Sequence, residues 1–286
     1  GSKKTIPQSV ELGFFAGFWS RHRFAIRQFI QRDVFGNQTR YYLDLLIIMK
    51  NVHIITPVKD SWETTRQTIE AIALSETTTN FVYTVYNDFS TNENRVHLEQ
   101  ITQQYGFELL NLEDITSHPS PNYLLILQMA QQRALAEQAH LIIVESDVVV
   151  RKQTIQDLID AANADNKIGM VASVTVDEKE QVNFPYLYAR KFPKTTIDTK
   201  KRFSFCCTLL SYNFLQAYDF KKLNPKKSWY DVFISHQSVE LGFKNRLLMN
   251  SPVLHQPHSS RPWKQLKYTN PLKYYWIKYT KGFDKI

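Results

Sequence analysis

The sequence predicts an α/β fold built on a mostly parallel sheet, with helices on both faces and a mixed carboxyl-side half. Three observations carry that expectation. Between residues 52 and 163, short apolar runs rich in β-branched residues alternate with stretches of helical periodicity, the signature of parallel strands joined by crossover helices. The run Leu141-Ile142-Ile143-Val144 is continuous enough for a fully buried strand, and it leads straight into Glu145-Ser146-Asp147. After about residue 170 the alternation gives way to strands and helices in no fixed order.

Taken in order, Val52 to Thr56 reads as a first strand stopped by Pro57. Asp60-Ser61-Trp62-Glu63 has capping-box spacing and opens a helix through about Ala73. Phe81 to Tyr86 is a second strand ending in Asn87-Asp88-Phe89-Ser90-Thr91. A helix follows with Val96 and Ile101 on its apolar side, closed by a C-cap at Gly106. Phe107 to Leu110 is a short third strand, residues 122–138 a long helix, and Leu141 to Val144 the fourth strand. Thr154 to Ala162 repeats apolar residues at i, i+3, i+4 and i+7, an amphipathic helix. Ile168 to Val171 and Phe203 to Leu210 read as further strands, and Asp231 to Leu241 as a helix.

With 286 residues and 43% hydrophobic content the chain can bury a full core. Its two cysteines, Cys206 and Cys207, are adjacent and imply no disulfide framework, which points to a reducing, cytoplasmic setting. No run of about 18 apolar residues is present. The net charge of +8 is unevenly placed: +5 lies in residues 1–50 and +6 in residues 261–286, leaving −3 between them. Such a distribution argues against a nucleic-acid reader, which concentrates charge on its folded module, and suits an anionic membrane surface better. Residues 11–34 place Phe14, Phe15, Phe18, Trp19, Ile26, Phe29 and Ile30 among arginines. This is either an interfacial helix or a face packed on the main domain or a second copy. Residues 261–286 interleave seven aromatics with seven basic residues; they either meet a membrane interface, bind single strands, or fold back on the domain. The expected organisation is an extension over 1–48, a main domain over 49–260 and a tail over 261–286. Oligomeric state is left open.

Glu145-Ser146-Asp147 stands at the carboxyl end of a buried strand, where open α/β sheets bind ligands. Two readings stay open for it: a divalent metal held by oxygen ligands, or solvated acids at an ordinary strand end. Neither the dinucleotide fingerprint nor a Walker A loop follows the first two strands, so any nucleotide is held by other means.

Four stretches in sequence resemble the family 2 glycosyltransferases of GT-A fold: Thr56-Pro57-Val58-Lys59-Asp60, Asn87-Asp88-Phe89-Ser90, Glu145-Ser146-Asp147 and Tyr230-Asp231 behind Trp229. His255 and His258 follow. The resemblance covers about residues 50–260 and implies a Rossmann-like, mostly parallel sheet with a mixed acceptor-side half. It implies inverting transfer of a sugar from a UDP- or dTDP-sugar to a hydroxyl of a glycan or lipid-diphosphate-linked acceptor, in bacterial surface polysaccharide synthesis. Thr56, Pro57, Val58, Asp60, Asp88, Glu145 and Ser146 would then face the nucleotide-sugar. Asp147, with His258 or His255, would bind Mn²⁺ or Mg²⁺, and Asp231 would be the general base. The same reading implies a cytoplasmic enzyme, peripheral at the inner membrane face.

Departures from the family pattern are Val58 in place of a base-stacking aromatic, Phe89 in place of a turn glycine, and Glu145 in place of the first metal-motif Asp. A sugar-phosphate nucleotidyltransferase is the rival enzyme class, but Thr56 to Asp60 lacks that class's glycine-rich loop. A non-catalytic membrane or nucleic-acid module is the rival outside enzymes.

Overall fold

The β-branched runs form the parallel half of a nine-stranded sheet: β1 (Val52–Val58), β2 (Phe81–Asn87), β3 (Glu108–Asn111) and β4 (His140–Val144), ordered β3-β2-β1-β4. The computed structural model describes residues 52–227, 229–256, 266 and 270–280. Beyond β4 the sheet turns mixed. Antiparallel β8 (Cys207–Leu210) joins β4 to β6 (Ile168–Val176), which runs parallel to the long β9 (Lys244–His255). Two short strands, β5 (Val148–Val149) and β7 (Thr196–Asp198), pair antiparallel with β9.

Alternation along the strands feeds two cores. Ile55, Leu141 and Ile143 pack with α3 (Tyr123–Ala136), α5 (Tyr212–Ala217) and α6 (Tyr230–Glu240). Ile54, Ile142 and Val144 point the other way, to α1 (Trp62–Ala73), α2 (Asn92–Tyr105) and α4 (Thr154–Asn163). A period of two in burial on a sheet covered on both faces is what continuous apolar runs such as Leu141 to Val144 encode. Near the amino ends of the parallel strands, an ion network ties α3 to the sheet. Arg133 binds Glu108 and Glu137, and Glu137 meets His53 at 2.9 Å. Burial holds the His53 pKa below its usual value despite that carboxylate.

Several expectations are corrected by local hydrogen bonding. β1 does not stop at Pro57 but runs to Val58. The Asp88 N–H donates to the Val58 carbonyl, so Val58 faces β2 and Pro57, one residue back, faces the β4 side. Pairing with β4 ends at Ile55, so no partner there needs the missing N–H. Asp60 does not cap α1: Ser61 is its N-cap residue, with a left-handed backbone and no side-chain cap bond. The Asp60 carboxylate instead accepts from the Thr91 N–H ahead of α2, at 2.8 Å. Val96 is exposed, and Leu98 takes its place beside Ile101 on the buried face of α2. The Phe203–Leu210 strand shortens because the N–H groups of Phe203 and Ser204 are taken by the Ser235 and Tyr186 hydroxyls. Gly106, at φ 72°, is the expected C-cap, and both cysteines are free and buried.

The expected membrane segment at residues 11–34, the extension over 1–48 and His258 all lie outside the described residues. Within the tail, α7 (Pro271–Thr280) carries Leu272, Tyr275, Trp276 and Tyr279 at i, i+3, i+4 and i+7, all exposed. Among the described residues no helix is long and apolar enough to cross a membrane.

One glycine fixes how α6 meets the sheet. A Cβ on Gly169 of β6 would lie 2.3 Å from the Ser238 hydroxyl on α6 and 2.7 Å from Phe243 Cβ. Gly169→Ala should therefore destabilise the fold by about 1–3 kcal/mol through overpacking. Chemical denaturation reads this as a lower midpoint with unchanged slope, and an unaltered midpoint would show that α6 can back away.

Candidate active site

The carboxyl ends of β1, β2 and β4 bring three turns to one edge of the sheet, the edge at which α/β sheets bind ligands. The first two turns are knitted to each other. The Asp60 N–H donates to the Ser90 hydroxyl at 2.8 Å, the Asp60 carboxylate accepts from the Thr91 N–H, and the Lys59 ammonium donates to the Phe89 carbonyl. Burial works against charge on Asp60, but the Thr91 N–H and Lys59 outweigh it and hold its pKa below the usual carboxylate value. Asp60, Ser61 and Phe89 all have left-handed backbones, with φ of 56°, 63° and 60°. Phe89 thus keeps the conformation of the glycine that the family pattern places there, and its ring packs against the core. Side chains in that region are strained, and strain of this kind collects where a loop is held for a purpose.

Asp88 is 6% exposed and firmly held. Its carboxylate accepts from the Ser120 hydroxyl (2.8 Å), the Asn122 N–H (2.9 Å) and the Asn122 amide (2.8 Å). Thr56 is fully buried with its hydroxyl accepting from Tyr83, and Val58 is buried in the core. Pro57, Lys59 and Asp60 of that turn keep partly exposed side chains.

The third turn carries the densest chemistry. β5 follows directly from it and pairs with the end of β9, Val148 opposite His255, while the Gln256 N–H donates to the Asp147 carbonyl. This register sets the His255 Nε2 3.6 Å from Asp147 Oδ2. His255 Nδ1 lies 2.6 Å from the Phe184 carbonyl, so Nδ1 carries the proton there and a neutral ring leaves Nε2 as an acceptor facing the carboxylate. Burial disfavours charge on His255, but Asp147, Glu145 and the Phe184 carbonyl outweigh it and raise its pKa. Asp147 is 9% exposed, and among the described residues its buried Oδ1 has no hydrogen-bond partner. Glu145, Cys206 and His255 each offer a ligand atom, all within 4.8 Å of one another. Ser146 sits between the two carboxylates, half-buried in the turn. These donors suit a divalent cation, since a buried carboxylate oxygen with no partner is costly unless an ion satisfies it.

Cys206 is the residue that sequence reasoning missed. It enters through the β4–β8 ladder: Val144 pairs with Cys207, and one step on, the Glu145 N–H donates to the Cys206 carbonyl at 3.0 Å. Its thiol donates to Glu145 Oε2 at 3.4 Å.

Asp231 stands in the first turn of α6, two residues after the N-cap Trp229, where the helix dipole favours negative charge. The Asp231 carbonyl accepts from the Ser235 hydroxyl, which itself accepts from the Phe203 N–H. Phe203 is three residues from Cys206, a span of at most about 11 Å. The first turn of α6 is therefore tied by a short chain segment to the carboxylate cluster.

Comparison with known proteins follows from this geometry. The family model for glycosyl transferase family 2 matches residues 53–221, which include Asp88, Glu145 and Asp147 but neither Asp231 nor His255. No curated protein sequence matches the chain. Among solved structures, S. aureus TarS 1-349 in complex with UDP-GlcNAc is similar at TM-score 0.57 and 14% identity, covering 74% of this chain and 60% of that one. The mannosyltransferase PcManGT from Pyrobaculum calidifontis, in complex with GDP-Man and Mn²⁺, is similar at 0.55 and 11%, covering 80% and 64%. GalNAc-T7 with UDP, GalNAc and Mn²⁺ is similar at 0.54 and 12%, covering 74% and 45%. The chain thus spans roughly half to two thirds of the length of these structures, and at such identities the likeness is one of fold.

Proposed function

The chain belongs to glycosyl transferase family 2 and has the GT-A fold, and from that premise we propose that it transfers a sugar from a nucleotide-sugar to an acceptor hydroxyl with inversion. The observation that carries this reading is the cluster of Glu145, Cys206 and His255 ligand atoms within 4.8 Å at the end of β4, with Asp147 Oδ2 3.6 Å from His255 and its Oδ1 buried without a partner among the described residues. Glu145, Asp147 and His255 would hold a divalent ion, Mn²⁺ or Mg²⁺, which when bound offsets charge on the leaving diphosphate. Asp88, fixed by Ser120 and Asn122, offers only acceptor atoms, and a uracil or thymine ring N–H is the matching donor. Pro57 and Asp60 line the neighbouring turn. Asp231 takes the proton from the acceptor hydroxyl as its oxygen attacks the anomeric carbon from the face opposite the diphosphate. The carbon–oxygen bond to the diphosphate breaks in the same displacement, and the configuration inverts.

Asp231→Asn should lower transfer by at least about 10² while leaving the dissociation constant of the donor unchanged, because a base acts only on the acceptor proton. Steady-state rates and donor titration check both halves. Near-normal transfer by Asp231→Asn would remove Asp231 from the role.

The acceptor in this reading is a glycan or a lipid-diphosphate-linked sugar at an anionic bilayer. The exposed stripe of Leu272, Tyr275, Trp276 and Tyr279 within a basic tail supports peripheral contact there. The pair Leu272→Glu and Trp276→Glu should abolish sedimentation with vesicles of anionic phospholipid. Sedimentation equal to that of the unaltered chain would assign the stripe elsewhere.

A further inference from the structure

The carboxylate cluster holds one ligand atom of a different chemical character, the Cys206 sulfur. We propose that Cys206 is a ligand at this station and that the station takes a thiophilic divalent ion of the Zn²⁺ class in preference to Mg²⁺. The inference rests on the reading of Glu145-Ser146-Asp147 as a metal station and says which ion it selects.

Geometry comes first. Cys206 Sγ lies 3.4 Å from Glu145 Oε2, and His255 Nε2 lies 3.6 Å from Asp147 Oδ2. Ligands at about 2.0–2.3 Å from a tetrahedral Zn²⁺ stand about 3.3–3.8 Å apart. Both pairs already have that separation. The Cys206 sulfur, the His255 nitrogen and the Glu145 carboxylate, within 4.8 Å of one another and with Asp147 beside the histidine, make a mixed soft and hard set, which Mg²⁺, an ion of oxygen ligands, cannot fully use.

The surroundings are built around the cluster rather than left to chance. Among the described residues Asp147 Oδ1 is buried and partnerless. His255 is oriented through Nδ1 by the Phe184 carbonyl, the outer contact that ligating histidines ordinarily make. Cys206 is 2% exposed, and its thiol also lies 3.4 Å from the Ser204 hydroxyl. A sulfur ligand bonds strongly to zinc-like ions and hardly at all to Mg²⁺, which sets the direction of the preference.

Cobalt(II), a spectroscopic substitute for Zn²⁺, tests this on the whole chain freed of metal. The unaltered protein should show visible d–d bands together with a sulfur-to-cobalt charge-transfer band in the near ultraviolet. Zn²⁺ should erase both, and Mg²⁺ neither. Cys206→Ser should lose the charge-transfer band and bind Zn²⁺ at least ~10-fold more weakly, whereas Cys207→Ser should keep the band. Visible bands without charge transfer in the unaltered protein would overturn the role of Cys206 and leave the metal station standing. A band that survives in Cys206→Ser or vanishes in Cys207→Ser overturns it as well. No cobalt spectrum of either kind would overturn both the inference and the station. The unaltered spectrum decides even if the Ser variant does not fold.

Discussion

A buried carboxylate oxygen with no partner is costly for a fold to keep, and among the described residues Asp147 Oδ1 is such an oxygen. It could have been avoided by a solvated turn or a neighbouring lysine. Instead three strands converge to keep it dry: β4 delivers the turn, β5 holds it by pairing with β9, and β8 closes the other side. Each of the other candidate ligand atoms arrives by backbone register. His255 is opposite Val148, and Cys206 is one step beyond the Val144–Cys207 pair. The site is therefore a property of the sheet, and loop motion alone cannot disperse it.

The other two turns at this edge are held by a different device, side chains bound to the backbone or side chains of neighbouring segments. Asp60 holds Thr91, Ser90 holds Asp60, and Asn122 and Ser120 hold Asp88. Three left-handed residues, Asp60, Ser61 and Phe89, are kept in place by these contacts. The first turn of α6, with Asp231, is tied in through Ser235, which links it to the segment leading into Cys206. Gly169 lets α6 come close enough for that link to form. Preorganisation of this kind suits a site whose task is to place charge and a proton acceptor around a small reacting centre.

Much of the fold was legible in the sequence because burial of a two-sided parallel sheet writes itself as unbroken apolar runs. Val52 to Thr56, Phe81 to Tyr86 and Leu141 to Val144 all lie in the parallel strands, and Gly106 caps its helix as its position implies. Errors fell where a polar group had two possible partners. Asp60 has the spacing to cap its own helix, yet it binds Thr91, 31 residues on. Pro57 reads as a stop, but a proline is harmless in a strand whose neighbour on that side has already ended. Of the candidate site, the acidic turn and His255 were visible as residue types at a strand end. Cys206 was not, because its thiol meets Glu145 across 61 residues and only the β4–β8 register makes them neighbours. The hold of Asn122 on Asp88, across 34 residues, was equally silent. A His-x-x-His pair suggested two ligand candidates, of which the described residues include His255.

In the proposed reaction the Asp147 carboxylate would couple a divalent ion to a nucleoside diphosphate at the end of β4. Thermal unfolding of the unaltered chain and of Asp147→Asn, each with UDP, with Mn²⁺ and with both, measures that coupling directly. In the unaltered chain the two ligands together should stabilise by more than the sum of their separate effects, up to about 2.7 kcal/mol with the nucleotide at 100 times its dissociation constant. In Asp147→Asn, which keeps the shape and removes the charge, the excess should vanish. Equal stabilisation by UDP with and without the ion, or an excess that survives in Asp147→Asn, would contradict the account.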